Sequence, residues 1–376
     1  NGDHRDLHLS LRRQRQMCIR DRSLPSWMQA GDQGLQGIGQ IDSVLQAALD
    51  SPQFRERWKY TRPRPLLEHL EDPQQLPVFE GVDQEGITLT TTAAPSFCPR
   101  LEPQHAPEAT AKLCLANTLI VIEVVKPLTE PLRIQHKASS QPVLLRLHPG
   151  AEVALEETYA PGEFLQQAVW IELEDGARLS HARNTFEAAD WHWQYLYVHQ
   201  AKHSAYSLHN YTTGTQLRRQ DIHLVLDGEG CEAKLLGAAR IDSKTTLDQH
   251  INVEHRQAMG NSEQKFHHVV ADGGKSTFNS RIHIHPNARG SAAILSNKNL
   301  GLGQSATINT KPELEIYNDD VQCAHGATIG RLSDDEMFYF TSRGIASPEA
   351  TALLSRGFLN QCIQGALAEA LSLIHI

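Results

Sequence analysis

Ile222-His223-Leu224-Val225-Leu226, then Asp227-Gly228-Glu229-Gly230, then Ala233-Lys234-Leu235-Leu236-Gly237-Ala238-Ala239: a short β-rich run, a turn cluster, and a second run. Branched residues suit an extended chain, and acid–glycine clusters punctuate it. The same texture extends both ways. Thr118–Val125, Val143–Leu147, Val169–Leu173 and Trp193–Val198 precede it, and Gln249–Val253, Lys265–Val270, Thr277–Ile284 and Ala292–Ser296 follow. Turn clusters such as His148-Pro149-Gly150, Glu174-Asp175-Gly176 and Asp272-Gly273-Gly274 separate them, with no helical period between. Residues 113–330 therefore form one large all-β body. Sandwich, propeller and solenoid all give evenly spaced short strands. No WD or kelch signature recurs, and stacked coils tolerate sequence drift while inward apolar positions persist, so a parallel β-helix fits best.

Both flanks of this body are helical. Val44, Leu45, Ala48, Leu49, Phe54 and Trp58 recur at helical spacing until Pro63 and Pro65 forbid continuation. Residues 23–112 are thus a helical part and a proline-rich connector, with one short strand near Ile87–Thr92. Residues 331–376 form a small helical module. Ser333-Asp334-Asp335-Glu336 is a capping box opening a helix over about 334–342, with Gly344 at its C′ position. Ser347-Pro348-Glu349 starts a second helix with Ser347 as N-cap, and Phe358–Leu371 reads as a third. The basic, aperiodic residues 1–22 are expected to be non-native or disordered. The abrupt close at Ser372-Leu373-Ile374-His375-Ile376 is expected to truncate the C-terminal module.

The 376 residues are 40% apolar and 21% charged, which places the chain among ordinary soluble proteins rather than disordered or fibrous ones. Net charge is −9, and residues 1–22 hold six Arg against three Asp, so the rest carries −12 and a nucleic-acid partner is disfavoured. The longest apolar stretch is far short of the roughly 20 residues that span a bilayer. With no secretory signal in view, the expected location is the cytoplasm. Six scattered cysteines without a CxxC pair argue against a disulfide framework and a closed zinc site.

Four groups of residues invite a chemical reading. Gly274-Lys275-Ser276 ends like a phosphate loop, but the required first glycine is Val269 and the sequel is strand-like, so no nucleotide is expected on this chain. His283 and His285 share a strand face at i, i+2 and could co-ligate a metal, yet spacing supplies no third ligand; hydrogen-bonded or surface histidines are the plainer reading for them and for His250, His255, His267 and His268. Asp319-Asp320 point to opposite faces if extended, which weakens a sugar-cleaving reading. Cys323-Ala324-His325 places a thiol and an imidazole on one face, where the imidazole could stabilise a thiolate or both could bind a soft metal centre.

That tripeptide sits in a longer run, Lys311-Pro312-Glu313-Leu314-Glu315-Ile316-Tyr317-Asn318-Asp319-Asp320-Val321-Gln322-Cys323-Ala324-His325-Gly326-Ala327-Thr328-Ile329-Gly330. The run resembles the signature of the SufB/SufD family of iron–sulfur cluster assembly proteins. Met337–Ile345 and Leu353–Phe358 resemble the family's C-terminal helical segment. Trp58-Lys59-Tyr60-Thr61 is similar to a motif of the SufD branch, as is the sparse cysteine of the β region, Cys114, Cys231 and Cys323 alone. The similarity covers about residues 23–371.

The resemblance implies a right-handed parallel β-helix between helical ends and a non-enzymatic scaffold. It implies pairing with a SufB-like subunit through the β-helix and capture of a SufC-like ABC ATPase on the C-terminal helices, and leaves open a homodimer of the isolated chain. A nascent iron–sulfur cluster would be held transiently at the subunit interface, with His325 as a ligand and Cys323 as the weaker candidate. No nucleic-acid or membrane partner is implied. A sulfur shuttle carrying persulfide and a cytosolic β-helix that binds or cleaves carbohydrate are the alternatives.

Overall fold

Alternation decides which side chains are inside. On one strand Ile222, Leu224 and Leu226 are buried in the core, and on its neighbour Ile251 and Val253 are, the two-residue period of an extended chain. The computed structural model describes residues 59–61, 75–93 and 118–363, residues 139 and 187–188 excepted. The residues from Val44 to Trp58 read as helical, residues 1–22 and the tail beyond 363 lie outside the described residues.

The strands are β1 (Val78–Glu80), β2 (Ile87–Ala93), β3 (Thr118–Val124), β4 (Leu132–His136), β5 (Val143–Leu147), β6 (Glu152–Tyr159), β7 (Gly162–Leu173), β8 (Arg178–Thr185) and β9 (Ala189–Gln200). They continue as β10 (Ala205–Thr213), β11 (Leu217–Leu226), β12 (Glu232–Ile241), β13 (Thr246–His255), β14 (Asn261–Val270), β15 (Lys275–Ile284), β16 (Ser291–Gly301), β17 (Thr307–Ile316) and β18 (Val321–Arg331). From β3 on, successive strands alternate between two sheets, so each pairs with the strand two further along. Every such pairing is parallel. This is the expected parallel β-solenoid, with two strands to a coil. Coils lengthen along the chain: Leu132 pairs with Leu155, 23 residues on, and Lys275 with Thr307, 32 residues on. At the other extreme β1 and β2 run antiparallel to β4 and β3.

The interior has an aliphatic part and a polar part. Leu147, Leu173, Leu226, Ile284, Leu155, Leu208 and Leu235 belong to one continuous apolar cluster. Toward the other edge the inward residues are amides and ions that bond from coil to coil, since a buried polar group without a partner costs about 1–3 kcal/mol. Gln249 Nε2 donates to Gln220 Oε1 at 2.6 Å, which also accepts from Asn210 Nδ2 at 2.9 Å. In the earlier coils the fully buried Glu157 accepts from Arg183 Nε at 2.7 Å and Tyr159 OH at 3.1 Å, and lies 3.1 Å from His136 Nε2. Burial alone would raise its carboxyl, but Arg183 and the neighbouring histidines outweigh that and hold it well below the usual carboxylate range. Phe266 lies over Gly237, where a Cβ would come within 2.1 Å of the ring, so only glycine fits there.

Two helices follow β18, α1 (Asp334–Thr341) and α2 (Ser347–Asn360). The capping box forms as read: Glu336 N donates to Ser333 Oγ at 3.1 Å, and Ser333 N donates to Glu336 Oε2 at 3.2 Å. The helix ends at Thr341 with Ser342 as C-cap, so Gly344 lies one residue beyond C′ rather than at it, and takes a left-handed φ of +83°. Ala346, not Ser347, is the N-cap of α2: Ala346 holds the extended backbone (ψ 146°), Ser347 is already the first helical residue with Pro348 after it, and no side chain caps the end. Phe358 belongs to α2 rather than starting a third helix. Within the described residues no helix is long and apolar enough to cross a membrane.

The C-terminal helices lie on the flank of the solenoid. Leu359, Cys362 and Phe358 pack on Tyr211, Ala238, Val269 and Leu300, outward residues of the β10–β16 sheet. Phe358 stacks on His267 with ring centroids 4.6 Å apart. The last carbonyls of α2 are satisfied from the sheet, Phe358 O by His267 Nδ1 at 2.8 Å and Gln361 O by Lys265 Nζ at 2.9 Å.

Candidate functional site: the open last coil

Lys311–Gly330, the run singled out in the sequence, is the last coil. It comprises most of β17, the turn at Tyr317–Asp320 and β18. Among the described residues β17 and β18 are edge strands, each paired on one side only. Their backbone groups and inward side chains, which in earlier coils lie under the next coil, are turned to solvent. Ile316 is 43% exposed and Ile329 58%.

Cys323 and His325 stand in this opened interior. The register sets Cys323 opposite Ala293 and His325 opposite Leu295, both inward residues of β16. The two side chains therefore share one face, as the i, i+2 spacing requires. Cys323 is half-buried against the apolar cluster, and His325 is exposed. Burial pushes the Cys323 thiol up, and the Ala293 backbone offsets this only in part. What the coil offers is a soft sulfur and a nitrogen on a face that no further strand covers among the described residues.

Other sequence candidates fall into structural roles. Asp272-Gly273-Gly274 is a turn with Gly273 at φ +76°, and Asp272 Oδ1 accepts from Ser305 N at 2.8 Å. Asp319-Asp320 lie in a turn rather than on a strand: Asn318 Oδ1 accepts from Asp320 N at 2.9 Å and Gly290 N donates to Asp320 O at 2.6 Å. His250 lies 3.0 Å from the buried Asp248 carboxylate. His255 and His268 each pair with a serine hydroxyl at 2.8 Å, Ser262 and Ser276.

His283 and His285 do share an outward face, their rings stacked 4.0 Å apart. The structure adds the third donor that spacing could not supply, Glu254, directly opposite His283 on β13. Its 29-residue separation is one coil length, a signal readable only once the pairing is known.

A sequence-family model described as "SUF system FeS cluster assembly, SufBD core domain" matches residues 132–358. That is more than half of the chain, and the chain belongs to the SufBD family. Its relatives put it with the SufD branch. It is 29% identical to the iron–sulfur cluster assembly protein SufD of Escherichia coli over 60% of this chain and 55% of that protein. It is 30% identical to an iron–sulfur cluster assembly SufBD family protein of Synechocystis over 51% of this chain and 43% of that one. It is 29% identical to the chloroplastic protein ABCI7 of Arabidopsis thaliana over 60% and 49%. The chain spans about half the length of these curated relatives.

Proposed function

We propose that this chain is a non-enzymatic scaffold subunit that holds half of a site for a nascent iron–sulfur cluster. The observation that carries the reading is the open coil: the family's signature run, the unpaired strand edges, the bare aliphatic interior and the Cys323–His325 face coincide there. A SufB-like chain with its own open coil would continue the two sheets, bury Ile316 and Ile329, and enclose Cys323 and His325 with its own ligands. One chain alone offers too few donors for a cluster, whose irons take four ligands each, so a shared site follows.

Of the C-terminal helices, α2 packs on the flank of the solenoid through Phe358, Leu359 and Cys362. Phe358 is used in packing on the solenoid, whereas Phe338 is 71% exposed and Leu353 46%. These two are the anchors for a SufC-like ABC ATPase. An ATPase held on the flank and a partner held at the end do not compete for surface.

The test is cluster assembly by the reconstituted complex, read by visible absorption and acid-labile sulfide. His325→Ala should abolish assembly with subunit pairing intact, and Cys323→Ser should reduce it less. Normal assembly by the His325 variant, or failure only because the subunits part, would leave His325 a surface histidine.

A further inference from the structure

We propose that Glu254, His283 and His285 form a second cation site, an exchangeable one for a borderline divalent transition metal such as Fe2+ or Zn2+, distinct from the Cys323–His325 face and independent of whether a cluster is built there.

The site is built by register. Parallel strands lie about 4.8 Å apart and i, i+2 residues about 6.6 Å apart on one face, so a residue, its cross-strand neighbour and the next outward residue form a natural triangle. Here the triangle holds a carboxylate and two imidazoles. Glu254 on β13 is directly opposite His283 on β15, and His285 follows two residues on, in the turn before β16. One ligand atom from each lies within 4.8 Å of the others. His285 Nε2 is already 3.3 Å from Glu254 Oε2. Donors around a tetrahedral ion with bonds of about 2.0 Å are roughly 3.3 Å apart, so side-chain rotation of about 1 Å closes the triangle without moving the strands.

Two further observations point to a ligand. His283 Nδ1 is buried and makes no hydrogen bond, so no protein donor or acceptor competes with a cation for it. Its nearest carboxylate is a second one, Glu315 Oε2 at 4.0 Å, on β17 opposite His283. The column Glu254–His283–Glu315 thus flanks the imidazole with acids on both sides. Two histidines and a carboxylate with open positions suit Fe2+, Zn2+ or Co2+ rather than Ca2+ or Mg2+.

The cationic neighbours set the strength. Arg256 Nη2 is 3.1 Å from Glu254 Oε2, and Arg281 Nη2 is 3.8 Å from Oε1 and its Nη1 3.3 Å from Glu315 Oε1. An incoming cation displaces Arg256 from the carboxylate. Both arginines are partly exposed and can turn to solvent, so the metal exchanges rather than locks in.

Metal-free full-length chain titrated anaerobically with Co2+ alone is the probe, read by its d–d absorption and by calorimetry, with Zn2+ as competitor. One Co2+ per chain should bind and be displaced by Zn2+. His283→Gln and His285→Gln should each weaken it at least tenfold, Arg256→Gln should tighten it several-fold, and the double variant Cys323→Ser/His325→Ala should leave it unchanged. Circular dichroism verifies that each variant is folded. His285, in a turn and partly exposed, is the safer substitution, and Arg256→Gln reads the site with all three ligands in place. Absence of Co2+ uptake, binding unmoved by His285→Gln, weakening by Arg256→Gln, or loss in the Cys323/His325 double variant would each overturn the proposal.

Discussion

Acidification from pH 7 to pH 5 should loosen the solenoid from its interior, through His268 and His255. Both rings face inward with one nitrogen on a serine hydroxyl, and the remaining nitrogen, Nε2 of His268 and Nδ1 of His255, is buried without a hydrogen-bond partner. A proton added there would create a buried cation with an unmatched N–H. Burial, aided by His267 in one case and His285 in the other, holds the rings down to about 3 and about 4, against an ordinary value of 6.5. Between those values and 6.5 the unfolded chain takes up the proton and the folded chain does not, so their contribution is whole above pH 6.5 and is lost as the pH falls. At pH 5 the lag is about 1.5 units, which at about 1.36 kcal/mol per unit is about 2 kcal/mol for each ring and about 4 kcal/mol for both. That is a large part of a typical stability of about 5–15 kcal/mol. Urea midpoints at pH 7 and pH 5 for wild type, His268→Gln and His255→Gln provide the assay; glutamine keeps a donor for the serine and cannot titrate. Each variant should lose about 2 kcal/mol less than wild type on acidification. Asp248, which burial would raise but Arg219 and His250 bring down to about 2, titrates below this window. Equal losses in wild type and both variants would refute the reasoning, because proton uptake would then lie elsewhere.

Removing one member of the inner ion cluster, Arg183→Leu, strands Glu157 in the interior and should cost about 3–5 kcal/mol by chemical denaturation, with much of it recovered in Arg183→Leu/Glu157→Leu. Gly237→Ala drives a methyl into the Phe266 ring and should cost about 1–3 kcal/mol, measured the same way, with Phe266→Leu in the same chain relieving it. Phe338→Ala with Leu353→Ala should abolish capture of a SufC-like ATPase in co-purification while leaving the melting temperature within about 2 °C and SufB-like pairing unchanged, since both side chains are largely exposed.

Strands with branched residues on the inward side were legible at once. Val143–Leu147 matches β5 end for end, and Thr118–Val125 overruns β3 by one residue. Polar inward positions were not. Ile222–Leu226 is only the second half of β11, because the first half carries the buried polar residues Arg218 and Gln220, and Gln220 is held by amides from neighbouring coils. For the same reason β8, with His181 and Arg183 inward, carries no apolar run at all. At the site, the shared face of Cys323 and His325 follows from two-residue spacing alone. That this face belongs to the interior, and that no further coil covers it among the described residues, follows only from the stacking. The flank position of α2 was equally hidden, since its anchors on β12 and β14 look like ordinary outward residues until Phe358 and Leu359 cover them.

The reversed strands β1 and β2 give the stack a direction of growth. β1 and β2 lie antiparallel along the first strands of their sheets and so end the parallel repeat, whereas among the described residues β17 and β18 end it with a coil edge that carries no further strand. In the vocabulary of polymer chemistry one end of the molecule is terminated and the other is still reactive. Two such chains that meet through their reactive ends are both consumed, and the product presents two terminated ends to solution. Solenoids with two live ends would run on into fibres. Under the pairing proposed above, end-to-end addition stops at two, because the β17–β18 end of each chain is used up in the join.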